Sequence, residues 1–506
     1  MIAENILNRG NGAEPETLDL HKSSGVPEAN IQRDLFEGLV SIGPDGSLVP
    51  GAAKSWEQDE SGKVWTFTLR DDGKWSNGDT VVASDFVNAF QRALAPSTAS
   101  EYAFILWPVK NAKAINNGAI KDTKMLGITA PDEMTVRIEL ENPTPYLTGL
   151  LSHHMTYPIH FKSFQKHGKK WTRPNNLVSN GAYQLVDWKP QTKLKLVKNP
   201  HFRDADEIQF DTVYFHPTED KGAELKRFRA GELDITDTVP SDQVSWVEKN
   251  LKANFRNAPY IGTYYFAMNL EQAPFKGNPK LRKALSLAIN RKILTEKVTK
   301  AGELPGLGWV PPGMNGYESQ QIPELSLVNS ERIALAKKLY AEAGYSKEKP
   351  LEIELLYNTS DNHKKIAIAI SAMWKQSLGV KVKLRNEEWK VYLSSRSQRK
   401  FQVVRSGWIG DYNDASNFLD LFRSDVGTMN PASWKNADFD RLMKQAETEL
   451  DAEKRIEMMQ QAEKILLNEM PLIPIYYYTS KHLLNSDLKG WQDNVMDIHP
   501  SRYLSK

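Results

Sequence analysis

The chain contains no cysteine among its 506 residues, which excludes disulfides, thiolate metal ligands and a cysteine nucleophile. The redox compartment stays open. Charge of either sign is not in excess: 65 Lys and Arg face 63 Asp and Glu, a formal net charge of +2. No global field is therefore available to hold nucleic acid or an anionic membrane, and binding must be local. Long apolar runs are missing as well. The most apolar C-terminal stretch, residues 465–478, is broken by Asn468, Glu469, Pro471 and Pro474, whereas a membrane-spanning helix needs about 18 apolar residues. Residues 1–22 lack a basic segment followed by an apolar one, so the expectation is a cytoplasmic protein or one whose signal peptide has been removed. HExxH, GxSxG, P-loop and GxGxxG motifs are all absent, which argues against the common hydrolase and nucleotide chemistries.

What is present is ordinary for a globular protein, with 40% hydrophobic and 25% charged residues. The length exceeds what one core serves, so two or three domains are expected. Residues 29–39 space Ile31, Leu35, Phe36 and Leu39 as a short amphipathic helix after a turn at 23–27. Turn dipeptides at Asp45-Gly46, Ser61-Gly62 and Asp72-Gly73 then frame hairpins, and residues 64–69 alternate as a half-buried strand. His153, His154, His160 and His167 gather in a loop-rich stretch without compact ligand spacing, so solvated or core histidines are expected there rather than a metal site. Strands and helices alternate through 193–236, and again after residue 260, with helices expected over 279–298, 329–343 and 361–378 and strands over 263–269, 351–357 and 380–384. That alternation predicts α/β domains.

One stretch stands out. Residues 401–418, FQVVRSGWIGDYNDASNF, read as a short strand ending in a polar elbow at 406–410. Arg405 and Asp411 lie on either side of a backbone interrupted by two glycines, as poles that could hold a charged, extended ligand through main-chain bonds. A plain strand end with solvated charges has the same composition. Asp411 and Asp414 could also form a carboxylate pair for acid–base work.

Several blocks decide between these readings. LFEGL at 35–39, VWTFTLRDDGKWSNGD at 64–79, NGAY at 180–183, RAGELDI at 229–235, LRKALSLAINR at 281–291, YNTSDNHKKIAIAISAMWKQSLGV at 357–380 and SGWIGDYND at 406–414 resemble, in order, the oligopeptide-binding proteins of bacterial ABC importers. The resemblance implies a two-lobed α/β periplasmic-binding-protein fold with a hinge and an inserted α+β domain. The expected partition is lobe I from 1–36, 162–261 and 477–506, the insert at 37–161, and lobe II at 262–476. It also implies a periplasmic, non-enzymatic, monomeric receptor with no cofactor, which binds a short peptide and passes it to a membrane permease.

The peptide would lie extended in a cleft, pairing with the backbone of Gly25 and Val26 and of Gly407, Trp408 and Ile409. Asp411 matches the aspartate that receives the α-amino group, and Arg405, His363 and Arg396 match cations that receive the carboxylate. Tyr102, Asn358, Trp389, Trp408, Tyr260, Tyr265 and Tyr477 fall in segments that line side-chain pockets. Three departures bear on ligand choice: Gly262 and Ile409 replace a cysteine pair, Ser24 replaces an acidic residue, and Lys481 stands for a pocket arginine. Murein-derived peptides, a metal chelate or haem are the alternative ligands within the same fold.

Overall fold

The computed structural model describes residues 5–314 and 316–506. The chain divides into two compact units. One comprises the residues up to Thr218 together with Ala223–Asp237 and His482–Lys506; the other comprises Glu219–Gly222 and Thr238–Lys481.

Among the described residues the first unit carries ten strands: β1 (Ile6–Gly10), β2 (Val40–Ile42), β3 (Leu48–Pro50), β4 (Ala53–Gln58), β5 (Val64–Leu69), β6 (Ile128–Asp132), β7 (Thr135–Glu139), β8 (Tyr183–Lys189), β9 (Lys193–Lys198) and β10 (Thr212–His216). They form a sheet of order β1-β10-β9-β8, an antiparallel sheet β4-β5-β7-β6, and the pair β2-β3. β5 follows its period-two pattern, with Trp65, Phe67 and Leu69 buried while Val64, Thr66 and Thr68 are half-buried. The helix Ala83–Leu94 buries Phe86, Ala89, Phe90, Ala93 and Leu94. That spacing puts its apolar stripe on one face.

The second unit is built on one sheet of β11 (Phe255–Met268), β12 (Leu304–Pro305), β13 (Glu352–Asn358), β14 (Lys381–Glu387), β15 (Val403–Ile409) and β16 (Leu472–Leu483), in the order β12-β16-β11-β15-β13-β14. β13 runs parallel to both β14 and β15, and parallel neighbours need crossover connections. The helices Asp361–Leu378 and Trp389–Ser397 supply them. The first buries Ile366, Ala367, Ile370, Trp374 and Leu378 and ends at Gly379, whose φ of 76° is the left-handed conformation glycine adopts without a steric penalty.

Three expectations change. The helix expected over 279–298 breaks after Leu287 and restarts at Arg291, because Asn290 turns its side chain to accept the Ile293 N–H and caps a new start. The first helix spans Val26–Leu35 rather than 29–39, since Pro27 suits a first turn. The stretch 406–410 is no elbow: β15 continues to Ile409, because β11 pairs with it residue by residue from Gly262↔Ile409 to Met268↔Val403. The polar turn begins only at Gly410.

Candidate functional site

β15 has unequal neighbours. β11 pairs with its whole length, whereas β13 meets it only at Val403 and Val404. Beyond Val404, among the described residues, no strand pairs with the side facing away from β11. Gly410 N donates to Ile261 O at 2.8 Å, toward β11. Alternation of the backbone then turns the N–H and C=O groups of Gly407 and Ile409 to the open side.

Side chains alternate between the two faces of the sheet. Arg405, Gly407 and Ile409 share one face with Tyr264 of β11, the direct partner of Gly407. Arg405 is 8% exposed. Its Nη1 donates to Asn358 Oδ1 at 3.1 Å and its Nη2 to Tyr478 Oη at 2.7 Å, with the guanidinium 4.5 Å from the Tyr264 ring centroid. Tyr264 stacks on Tyr476, centroids 4.6 Å apart, and lies 3.4 Å through its hydroxyl from His363 Nδ1. Burial, then the Arg405 charge, holds His363 well below the usual histidine range, so it is a neutral imidazole. A Cβ on Gly407 would sit 2.4 Å from Tyr478 Oη, so glycine is the residue that leaves room for the tyrosine bracing Arg405.

The opposite face is core. Tyr265 is 2% exposed and packs edge-on against Trp309 at 4.9 Å. Trp408 is buried, and its Nε1 donates to Asn417 Oδ1 at 3.1 Å. The same Asn417 oxygen accepts Asp411 N–H at 3.0 Å, while Asn417 Nδ2 donates to Asp411 Oδ2 at 3.3 Å. Asp411 itself is half-buried. Asp414 is engaged differently: Arg455 grips it through two 2.9 Å bonds. Burial would raise Asp414, but Arg455 overrides it and holds the carboxyl below its ordinary range. Asp414 is thus a structural ion-pair member, not half of an acid–base pair.

Of the remaining positions, Tyr260 and Trp389 connect to Arg405 through Tyr478 and through Tyr392, whose hydroxyl donates to Arg405 O. In the second unit, Trp389 opens its helix, stacked on Tyr392 at 5.6 Å, and Arg396 lies half-buried near the end of that helix. Tyr260 meets Tyr478 edge-on at 6.1 Å. Tyr477 turns to the core, its hydroxyl accepting Gly308 N–H at 2.9 Å. Lys481 pairs with buried Glu303 at 2.5 Å. In the first unit, Gly25 is extended, Val26 starts a helix with its side chain 42% exposed, and Tyr102 stacks on His153 at 5.1 Å. Of the four clustered histidines, His153 and His154 bring their ring centroids to 4.0 Å of each other, while His153 and His160 cap short helices by accepting Met155 N–H and Ser163 N–H.

Sequence reasoning missed Tyr264, Tyr476, Tyr478 and Asn417. Period-two counting from Arg405 through the β11 register would have found Tyr264 in place of Tyr265.

Residues 47–430 match the family described as Bacterial extracellular solute-binding proteins, family 5 Middle. The chain is 40% identical over 492 residues to the periplasmic murein peptide-binding protein MppA of Escherichia coli (strain K12), covering 97% of this chain and 91% of that one. It is 40% identical over 494 residues to the periplasmic oligopeptide-binding protein OppA of the same strain, covering 97% and 90%. The crystal structure of Haemophilus influenzae OppA in complex with RPPGFSPFR matches with a TM-score of 0.96 at 36% identity over 99% of each chain. The fold is the mixed α/β fold of these proteins, as the motifs implied. The chain belongs to family 5 of the bacterial extracellular solute-binding proteins and is a binding protein, not an enzyme.

Proposed function

We propose that the chain captures short peptides in extended form along β15 and delivers them to the membrane permease of an ABC importer. The observation that carries this reading is the one-sided pairing of β15: Gly407 and Ile409 present main-chain groups to the open side between a braced cation, Arg405, and a braced anion, Asp411. Such a ladder adds a ligand strand by backbone bonds and is indifferent to ligand sequence. Asp411 receives the α-ammonium, and Arg405 takes the C-terminal carboxylate, assisted by Arg396 and neutral His363. From Arg405 to Ile409 the strand advances about 13 Å at ~3.3 Å per residue, the reach of a peptide of about four or five residues. Within the second unit, Tyr260, Asn358, Trp389 and Lys481 are candidates for tuning side-chain preference.

The protein works in the periplasm, as its relatives' names say of them, and as a monomer. Isothermal titration with a short peptide tests the central claim: Asp411→Ala, or N-acetylation of the peptide, weakens binding by about tenfold or more. Unchanged affinity in both experiments defeats it.

A murein-derived ligand is the second reading, favoured by equal 40% identity to the murein peptide-binding and oligopeptide-binding relatives. Mass spectrometry of material released from the purified protein, with chiral amino-acid analysis after acid hydrolysis, separates the two, since only the murein ligand contains D-residues.

A further inference from the structure

Far from β15 in sequence, the C-terminal return of the first unit gathers His482, Asp497 and His499. Their candidate ligand atoms all lie within 4.8 Å of one another. His482 Nε2 is 2.9 and 3.1 Å from the two Asp497 carboxylate oxygens, and His499 Nε2 is 3.0 Å from Oδ1. The side chains are 11%, 13% and 5% exposed.

Three features go beyond an ordinary ion pair. His482 Nδ1 faces Thr236 O at 2.9 Å, and a carbonyl only accepts, so a proton belongs on Nδ1, and Nε2, which faces the carboxylate, is the nitrogen a metal would take in exchange for its proton. A backbone carbonyl behind the ring is how metal-ligating histidines are oriented. Asp497 adopts φ 51°, held there by Asn494, which takes Met496 N–H and Ile498 N–H on its side-chain oxygen and Asp497 N–H on its carbonyl. Trp491 stacks on His499, centroids 3.5 Å apart and planes 20° from parallel, so that ring too is fixed.

We propose that His482, Asp497 and His499 form a binding site for a divalent transition-metal ion of the zinc class. Bonds of about 2.0–2.2 Å in tetrahedral array separate ligand atoms by roughly 3.4 Å, so each histidine need draw back from the carboxylate by only a few tenths of an ångström, and the two histidine nitrogens already lie within 4.8 Å of each other. Two imidazoles and a carboxylate suit zinc, nickel or iron over calcium or magnesium, and the fourth position is left for water. No metal site was expected from the sequence because positions 482, 497 and 499 fit no compact ligand spacing. The nearby cation, Arg9, is occupied with Ser501 Oγ and His499 O, each at 2.8 Å.

The test is isothermal titration of the full chain, stripped with chelator, with zinc chloride alone, paired with thermal melts. The expected result is one zinc per chain and a rise in Tm that chelator reverses. His499→Gln and His482→Gln each weaken zinc binding at least tenfold, and His499→Gln keeps wild-type peptide affinity. Should His482→Gln fail to fold, His499→Gln decides alone. Absence of stoichiometric zinc binding by the wild type, or unchanged zinc affinity in His499→Gln, overturns the proposal.

Discussion

Asn417 holds Asp411 at two points, accepting its backbone N–H at 3.0 Å and donating to its carboxylate at 3.3 Å, while the same side-chain oxygen takes Trp408 Nε1 at 3.1 Å. The asparagine therefore fixes the anion relative to the end of β15. A fixed carboxylate facing an ammonium makes a charge-assisted bond of roughly 1.5–3 kcal/mol. Asn417→Ala is expected to lower peptide affinity roughly three- to tenfold with the charge intact. It should cost little further when combined with Asp411→Ala, because both act on one bond. A double-mutant cycle by titration calorimetry checks this; additive losses would show that Asn417 acts elsewhere.

Gly407 is the second lever. A methyl there meets Tyr478 Oη at 2.4 Å, and Tyr478 is the partner of Arg405 Nη2. Gly407→Ala is expected to displace the tyrosine and loosen Arg405, cutting peptide affinity at least tenfold. The combination with Tyr478→Phe, which relieves only the hydroxyl contact, should recover part of the packing but not the affinity. Titration of both variants decides, and wild-type binding by Gly407→Ala would sink the account.

Acid should weaken the first unit through His21. This side chain is 1% exposed, and burial, reinforced by Arg92, lowers it to about 3. Below its ordinary value of about 6.5, the unfolded chain takes up a proton that the folded chain does not. The contribution is therefore complete above that pH and is lost as pH falls. The slope implies about 2 kcal/mol lost from this group between pH 7 and pH 5. Denaturant melts at both values should show the loss in the wild type and a correspondingly smaller one in His21→Gln; identical pH slopes would refute the assignment.

Glu463 is a structural hub with no exposed surface. Oε1 accepts the N–H groups of Trp309 and Val310, each at 2.9 Å, and Oε2 accepts Tyr317 Oη at 2.7 Å and Gln320 N at 3.1 Å. Glu463→Ala strands four donors and is expected to cost on the order of 3 kcal/mol or more, read as a lower Tm. Glu463→Gln should recover only part, since its amide would oppose the Gln320 N–H. A variant melting with the wild type would remove the hub role.

The alternation of strands and helices was legible because the helix Asp361–Leu378 spaces Ile366, Ile370, Trp374 and Leu378 four apart and is flanked by the short, apolar-patterned strands β13 and β14. The two proposed poles of the slot, Arg405 and Asp411, are read from the single stretch 401–418. Three things were not legible. The continuation of β15 through Ser406-Gly407 was hidden because pairing with β11 overrides local turn propensity. The tyrosines around Arg405 were missed by one residue, and a one-residue slip in a strand changes the face. Asn417 carries no signature in sequence, since its role exists only where the turn after β15 folds back on Trp408.

The partners of Arg405 are an amide, a phenol and a ring face, and among the described residues no carboxylate lies within ion-pair distance of it. A desolvated cation whose protein company is all neutral is a local liability to folding. Replacing Arg405 with a hydrophobic residue of similar volume should therefore yield a protein that melts higher and holds its ligand worse. On the proposed reading, the strand end gives up folding stability, not rigidity, and the ligand's carboxylate supplies the charge that Arg405 lacks in the protein alone.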